Sequence, residues 1–289
     1  MVCSLTGSRT SRWFPRVNVL SSLRSLFLRV LSLLPLPIRR KFWLGLMQIG
    51  RLLYEPENFY VQRLPFGLYS KVGRHSAREA SVMRLVAERT AICLPKVIDI
   101  FHKPGSEQNV IIMTRIPGKF VQPKDMDEGQ IHNLAGQIRA CVDQLRRIPT
   151  PNTVIGGFNG TPIQDTRLEW GDIGPFPDLA AFNTFLDNDV SDRIARDPVV
   201  ADVHSRTYRI VLTHNDIGPL NVLVDEQFKL TGLIDWGESG WYPEYWECTN
   251  AIARHGDLPN WPAIMMAAFP EYSLELQAEQ ILWKNSSHF

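Results

Sequence analysis

Apolar positions along the chain change their period several times, and each change predicts a different element. Residues 58–64 and 67–72 have strand-like character, and the Pro65-Phe66 break between them predicts a hairpin. Ser76-Ala77-Arg78-Glu79 has capping-box form, and Ala80, Met83, Val86, Ala87 and Thr90 follow as one apolar helical face. Residues 96–102 and 110–114 read as two more strands, the second a short continuous run of buried type. Pro117-Gly118 then interrupts the pattern, and the stretch to Lys124 predicts a hinge between two lobes. Beyond it Asp127 and Gln130 suit a helix start, with Ile131, Leu134, Ala135, Ile138, Val142, Leu145 and Ile148 at helical spacing. Residues 149–177 are rich in Gly, Pro, Asn and Asp and predict a long loop, a length that often marks function.

Composition changes this picture at one end of the chain. With 289 residues, 44% hydrophobic and 21% charged, the sequence has room for one large domain or two packed lobes. The 31 Lys and Arg against 30 Asp and Glu leave no basic excess for neutralising phosphates, so a nucleic-acid partner is not expected. Residues 1–54, however, hold nine Arg or Lys and no acid, leaving 22 basic against 30 acidic residues in the remainder. From residue 17 to 34, Leu20, Leu23, Phe27, Val30, Leu31 and Leu34 recur at helical spacing, which predicts a basic amphipathic helix. The nine-residue stretch between Arg29 and Arg39 is too short to span a bilayer, which takes about 20 apolar residues. A helical cap on the following domain is the plainer expectation for this segment, and peripheral contact with a membrane surface is the alternative. Four cysteines without a C-x-x-C pair fit a reducing, cytoplasmic compartment, although an acid-free, Arg- and Ser-rich N-terminus is also the composition of a mitochondrial transit peptide.

The chemistry is concentrated in residues 210–246, IVLTHNDIGPLNVLVDEQFKLTGLIDWGESGWYPEYW. His214-Asn215-Asp216 follows an apolar strand, Asn221 comes five residues after Asp216, and a second apolar strand delivers Asp235. Phosphoryl transfer from a nucleotide needs Mg²⁺, a hard cation that takes oxygen ligands, and Asn221 and Asp235 offer an amide oxygen and a carboxylate. Asp216 would face the acceptor. His214 reads as a packed residue that orients the loop, and Trp236, Trp241, Tyr242, Tyr245 and Trp246 read as packing aromatics.

The H-x-D-x-x-x-x-N element with its downstream Asp resembles the catalytic loop and metal-binding Asp of the protein-kinase-like fold. T-H-N-D-I-G-P-L-N, then G-L-I-D-W and G-W-Y-P-E-Y-W-E, are more similar still to the aminoglycoside phosphotransferase family, in particular its fungal-type branch. The resemblance covers about residues 55–255 and implies an α+β, bilobal chain: a basic N-terminal helical segment over 1–54, a small antiparallel-sheet N-lobe over 55–116 and a mainly helical C-lobe over 117–289. It implies ATP and Mg²⁺, with Asp216 as the catalytic carboxylate and Asn221 and Asp235 as metal ligands. Lys71 looks like the nucleotide-binding lysine and Glu79 like its helix partner, besides the capping role already noted. Thr114 and Ile116 look like the hinge positions that meet adenine.

Two positions depart from the family's pattern. Asn215 stands where the family usually has glycine, and Gly67 is the only glycine between Glu55 and Lys71, so a glycine-rich phosphate loop is missing. Asp235-Trp236-Gly237 is followed so soon by Pro243-Glu244 that no peptide-docking segment fits between them, which predicts a small-molecule acceptor. Asp165, Glu169, Asp172 and Asp178 are candidates for an acidic acceptor pocket. A pseudokinase and a nucleotide-binding scaffold are the rival expectations.

Overall fold

The apolar run at 110–114 is buried at four successive positions because the fold packs material on both sides of it. This is a computed structural model, and it describes residues 27–151, 154–163, 173–188 and 190–286. Strands β1 (Val61–Leu64), β2 (Leu68–Gly73), β3 (Val97–His102) and β4 (Asn109–Thr114) form one antiparallel sheet in the order β1-β2-β4-β3. Side chains alternate across a strand, so Val110 and Ile112 join Leu64, Leu68 and Phe101 on one face, while Ile111 and Met113 join the larger core on the other.

Helix α1 (Leu36–Leu53) covers the first face with Trp43, Leu46 and Met47, and Gly50 lies against the backbone of Arg63. Its anchor is polar: Trp43 Nε1 donates to buried Asp99 Oδ2 at 2.8 Å, and Arg39 Nε lies 3.5 Å from the same oxygen. Residues 27–33 are also helical, and Leu31 reaches the same cluster. The part of the basic amphipathic helix before residue 27 lies outside the described residues. No helix among the described residues is long and apolar enough to cross a membrane.

Helix α2 (Ser76–Arg89) packs on the second face. Its buried stripe is Ala80, Val82, Met83 and Val86, whereas Ala87 is exposed. The capping box expected at Ser76 is not formed. His75 is the N-cap and makes no side-chain capping bond, and the Glu79 carboxylate turns inward instead. Strand β1 begins at Val61, later than expected, because Asn58 Oδ1 accepts from the backbone N–H of Tyr60 and Val61 and holds a turn there.

The stretch after Pro117-Gly118 contains a short strand, β5 (Lys119–Phe120), which pairs with β8 (Val222–Val224) and ties the connection to the second lobe. Asp127 caps helix α3 (Glu128–Leu145) in a full capping box with Gln130, and Leu134, Ala135, Ile138, Val142 and Leu145 enter the core. The expected loop after it holds β6 (Gly156–Gly157) and a bridge between Ile155 and Phe176, and ends at α4 (Leu179–Asn188). Asp178 caps α4 by accepting from Ala181 N–H at 2.8 Å; Asp165, Glu169 and Asp172 lie outside the described residues. Helices α5 (Asp192–Ala195) and α6 (Pro198–Ser205) lead to β7 (Ile210–Thr213). Strand β8 pairs with β9 (Leu230–Leu233), and β10 (Gly240–Pro243) lies between β6 and β7. Helices α7 (Trp246–His255), α8 (Trp261–Ala268) and α9 (Ser273–Trp283) complete a mainly helical lobe. The α+β, two-lobed architecture expected from the sequence is the one observed.

Candidate active site

Lys71 is carried on β2 opposite Ile111, on the face that looks toward α2 and the second lobe. Its Nζ lies 2.9 Å from Glu79 Oε2 and 2.6 Å from Asp235 Oδ1, so one ammonium joins a strand, a helix and the other lobe. Burial works against the Lys71 charge, but the two carboxylates outweigh it and raise its pKa. Glu79 is fully enclosed; burial pushes its pKa up, and Lys71 pulls it back. Burial also acts on Asp235, but the Lys71 charge and hydrogen bond prevail and hold the carboxyl below the usual range.

The second lobe supplies the remaining groups from two adjoining segments. Ile234 N–H donates to the Asn221 carbonyl at 3.0 Å, which seats Asn221 beside the strand end that carries Asp235. His214 stitches the same segments together: its ring faces the Ile234 carbonyl through Nε2 at 3.1 Å, and its Nδ1 accepts from Asp216 N–H. These contacts fix a neutral ring protonated at Nε2, and burial lowers its pKa accordingly. His214 is thus the packed, orienting residue that its sequence context predicts.

Asn221 Nδ2 donates to the Asp216 carbonyl at 2.9 Å and to Asp216 Oδ2 at 2.6 Å. The amide nitrogen therefore aligns the carboxylate, and the amide oxygen is the part of Asn221 suited to a cation. Asp235 is exposed toward the cleft and adopts a left-handed φ of 62°, a conformation that Asp tolerates better than most residues. One amide oxygen and one carboxylate fit Mg²⁺, which keeps several waters and takes further ligands from phosphates. Among the described residues no cluster of three or more His, Cys, Asp or Glu forms an all-protein metal cage.

At the hinge the two candidate positions differ. Thr114 N–H is bound to the Lys96 carbonyl and its hydroxyl accepts from Lys96 N–H, whereas no described residue bonds to the backbone of Ile116. Ile116 is therefore the better adapted of the two to pair with a purine edge. The turn between β1 and β2 is only Pro65–Gly67, with Phe66 at φ 64° and exposed. The β1–β2 hairpin thus has a tip of three residues.

Sequence reading missed three groups that shape the site. Arg254 Nη1 lies 2.6 Å from Asp216 Oδ1, and its Nη2 lies 2.5 Å from Glu238 Oε2. Arg78, next to Glu79 on α2, donates to the Gly237 carbonyl at 2.7 Å and to Thr161 Oγ1 at 3.1 Å, bridging the lobes. Glu247 accepts from the backbone N–H of His214 and Asn215 at 2.7 and 3.0 Å. Burial pushes the Glu247 carboxyl up to about 7, against the pull of those two bonds. Glu247, Asn250 and Arg254 share one side of α7 at i, i+3 and i+7, but that the helix is buried, and that they therefore need partners, is evident only in the fold.

Comparison with known proteins identifies the family and the fold. Residues 51–277 match the phosphotransferase enzyme family, APH. No curated protein matches the chain significantly. Among solved structures, an apo thermostable mutant of aminoglycoside phosphotransferase APH(4)-Ia is similar at 18% identity and TM-score 0.55, covering 80% of this chain and 83% of that one. Another variant of that enzyme, in ternary complex with AMP-PNP and hygromycin B, gives 18% identity and TM-score 0.56 over 79% and 82%. The GDP complex of wild-type aminoglycoside 2'-phosphotransferase-IIIa gives 15% and 0.54 over 84% and 87%. At these identities the likeness is one of fold.

Proposed function

Because this chain belongs to the phosphotransferase enzyme family, we propose that it transfers the γ-phosphoryl group of ATP to a hydroxyl of a small molecule. The observation that carries this reading is the convergence of Lys71, Glu79 and Asp235 across the cleft, with Asn221 holding Asp216 beside them. Lys71 neutralises phosphate charge, and Glu79 keeps its ammonium in place. Asn221 and Asp235 would hold Mg²⁺, which supplies charge neutralisation on the phosphates. Asp216 orients the acceptor hydroxyl and takes its proton late, because the loose transition state asks mainly for positioning and charge stabilisation. Arg254 holds the Asp216 carboxylate in its aim. The short span between Asp235 and Pro243 supports a small acceptor over a protein one, and the wording around Asp216 and Asp235 supports the fungal-type branch.

A second reading, a nucleotide-binding scaffold without turnover, is favoured by the three-residue turn between β1 and β2. Asp216→Asn and Asp235→Asn separate the two. With Mg-ATP and a panel of hydroxylated metabolites, Asp216→Asn is expected to keep nucleotide binding and lose turnover by about 10³-fold or more, and Asp235→Asn to lose Mg-dependent binding. Full turnover in Asp216→Asn, or none in the wild type with any acceptor, would remove the phosphotransferase assignment.

A further inference from the structure

Asn215, between His214 and Asp216, has φ 69°. A side chain at such a φ is disfavoured by contact of Cβ with the backbone, and Asn bears it by means of local hydrogen bonds. Here every polar group of the residue has a partner. Its N–H donates to Glu247, its Nδ2 to the Tyr242 hydroxyl at 3.2 Å, and its Oδ1 accepts from Trp246 Nε1 at 3.0 Å. Asn250 makes the remaining contacts: its Nδ2 donates to the Asn215 carbonyl at 2.8 Å and to Asn215 Oδ1 at 2.9 Å. Both asparagines are 1% exposed, so no solvent replaces these bonds.

We propose that Asn250 is a positioning residue for phosphoryl transfer. By holding the carbonyl and the side chain of Asn215 together, it fixes the left-handed turn that delivers Asp216 to Asn221 and Arg254. This rests on the proposed role of Asp216. The amide of Asn250 has one productive orientation, because turning it over would set its Oδ1 against two acceptor oxygens. Both hydrogen bonds that Asn250 donates go to Asn215, and it reaches Asp216 through that residue. Where residue 215 is glycine, the left-handed turn carries no steric penalty, and of the clamp only the bond from Asn250 to the backbone carbonyl is left. The pair Asn215 and Asn250 thus works as a unit, each side chain giving the other its purpose.

The test is a double-mutant cycle of Asn250→Ala and Asn215→Gly, read as ADP release from Mg-ATP, together with thermal melting and amide exchange. Asn250→Ala is expected to lower kcat about tenfold with KM for ATP within about twofold, as loss of alignment without loss of ground-state binding. Adding Asn215→Gly is expected to return kcat to within about threefold of wild type while the melting temperature stays low, since glycine frees the turn but leaves Trp246 and Tyr242 without their partner. If kcat in the double variant stays at the Asn250→Ala value, or falls in step with melting, the proposal is overturned. Amide exchange decides the matter without turnover. Faster exchange in Asn250→Ala confined to residues 213–217 supports the clamp, and faster exchange spread over the whole lobe overturns it. A wild-type protein that releases no ADP would therefore sink the function while leaving the clamp open to this measurement.

Discussion

Lys71 and Asp235 are 164 positions apart in the chain and meet at 2.6 Å, an ion pair that closes the cleft between the lobes. On the other side of the same ammonium, Glu79 is buried in full. The lysine is thus as much a structural counter-ion as a nucleotide contact.

Lys71→Met removes that counter-ion and leaves enclosed Glu79 with only a backbone hydrogen bond from Trp236 against its charge. Breaking a buried pair in this way costs about 3–5 kcal/mol, measurable by urea unfolding at pH 8. Burial already raises the Glu79 pKa, and losing Lys71 raises it further. A carboxyl of this kind contributes stability when protonated and loses it as pH rises, so the deficit of Lys71→Met should shrink at pH 5. An equal deficit at both pH values would contradict the pairing.

Glu247 gives a second pH dependence. Its folded value, about 7, lies above the ordinary 4.5 because of burial. Its contribution is therefore complete below pH 4.5 and is lost as pH rises toward 7, on the order of 3 kcal/mol in all. The stability difference between wild type and Glu247→Gln should change in that window and flatten above it. A difference that is constant from pH 4.5 to 8 would show that burial does not raise this carboxyl above its ordinary value.

Arg254 holds two carboxylates with two separate nitrogens, one on Asp216 and one on Glu238. Lysine keeps the charge but cannot span both. Arg254→Lys is expected to lower kcat by about tenfold or more while Mg-ATP affinity measured by calorimetry stays within about twofold. Equal turnover in the two proteins would mean that Asp216 needs no such support.

Gly157 leaves room for the Arg78 bridge. A Cβ there would lie 2.5 Å from Thr161 Oγ1, 2.6 Å from the Pro162 carbonyl and 3.0 Å from Arg78 Nη1. Gly157→Ala should cost about 1–3 kcal/mol and loosen the link from α2 to Gly237, seen as faster amide exchange around residue 237. A neutral effect on both would assign the bridge no part in the site.

At the outer face, Trp43→Phe keeps a six-membered aromatic ring but deletes the pyrrole part of the indole and the N–H that Asp99 accepts. With Arg39 as the remaining partner of that oxygen, the loss should cost about 1–3 kcal/mol in urea unfolding, and Trp43→Ala about 3–5 kcal/mol. An unchanged midpoint in both variants would show that α1 is dispensable to the sheet.

Reading the sequence worked where the determinants are local. The Asp127–Gln130 capping box and the run at 110–114 each declare themselves within a few residues. It did less well where a partner is distant. Ser76 and Glu79 have the spacing of a capping box, but the charge on Lys71 offers Glu79 a stronger bond than a backbone N–H does, and the helix is capped elsewhere. Arg78 and Arg254 have the look of solvated helix charges until their acceptors, more than a hundred and about forty residues away at most, are brought beside them. Helix α1 was legible as a cap, yet its docking depends on Asp99, a lone acid within an otherwise apolar strand.

Strand β4 has the N-terminal helix on one side and the cleft on the other, with Val110 and Ile112 given to the first and Ile111 and Met113 to the second. A single thickness of peptide is therefore the whole partition between them. Whatever presses on or lifts Leu46 and Met47 at the molecule's outer wall is felt, one residue over, by the chamber where the lysine waits.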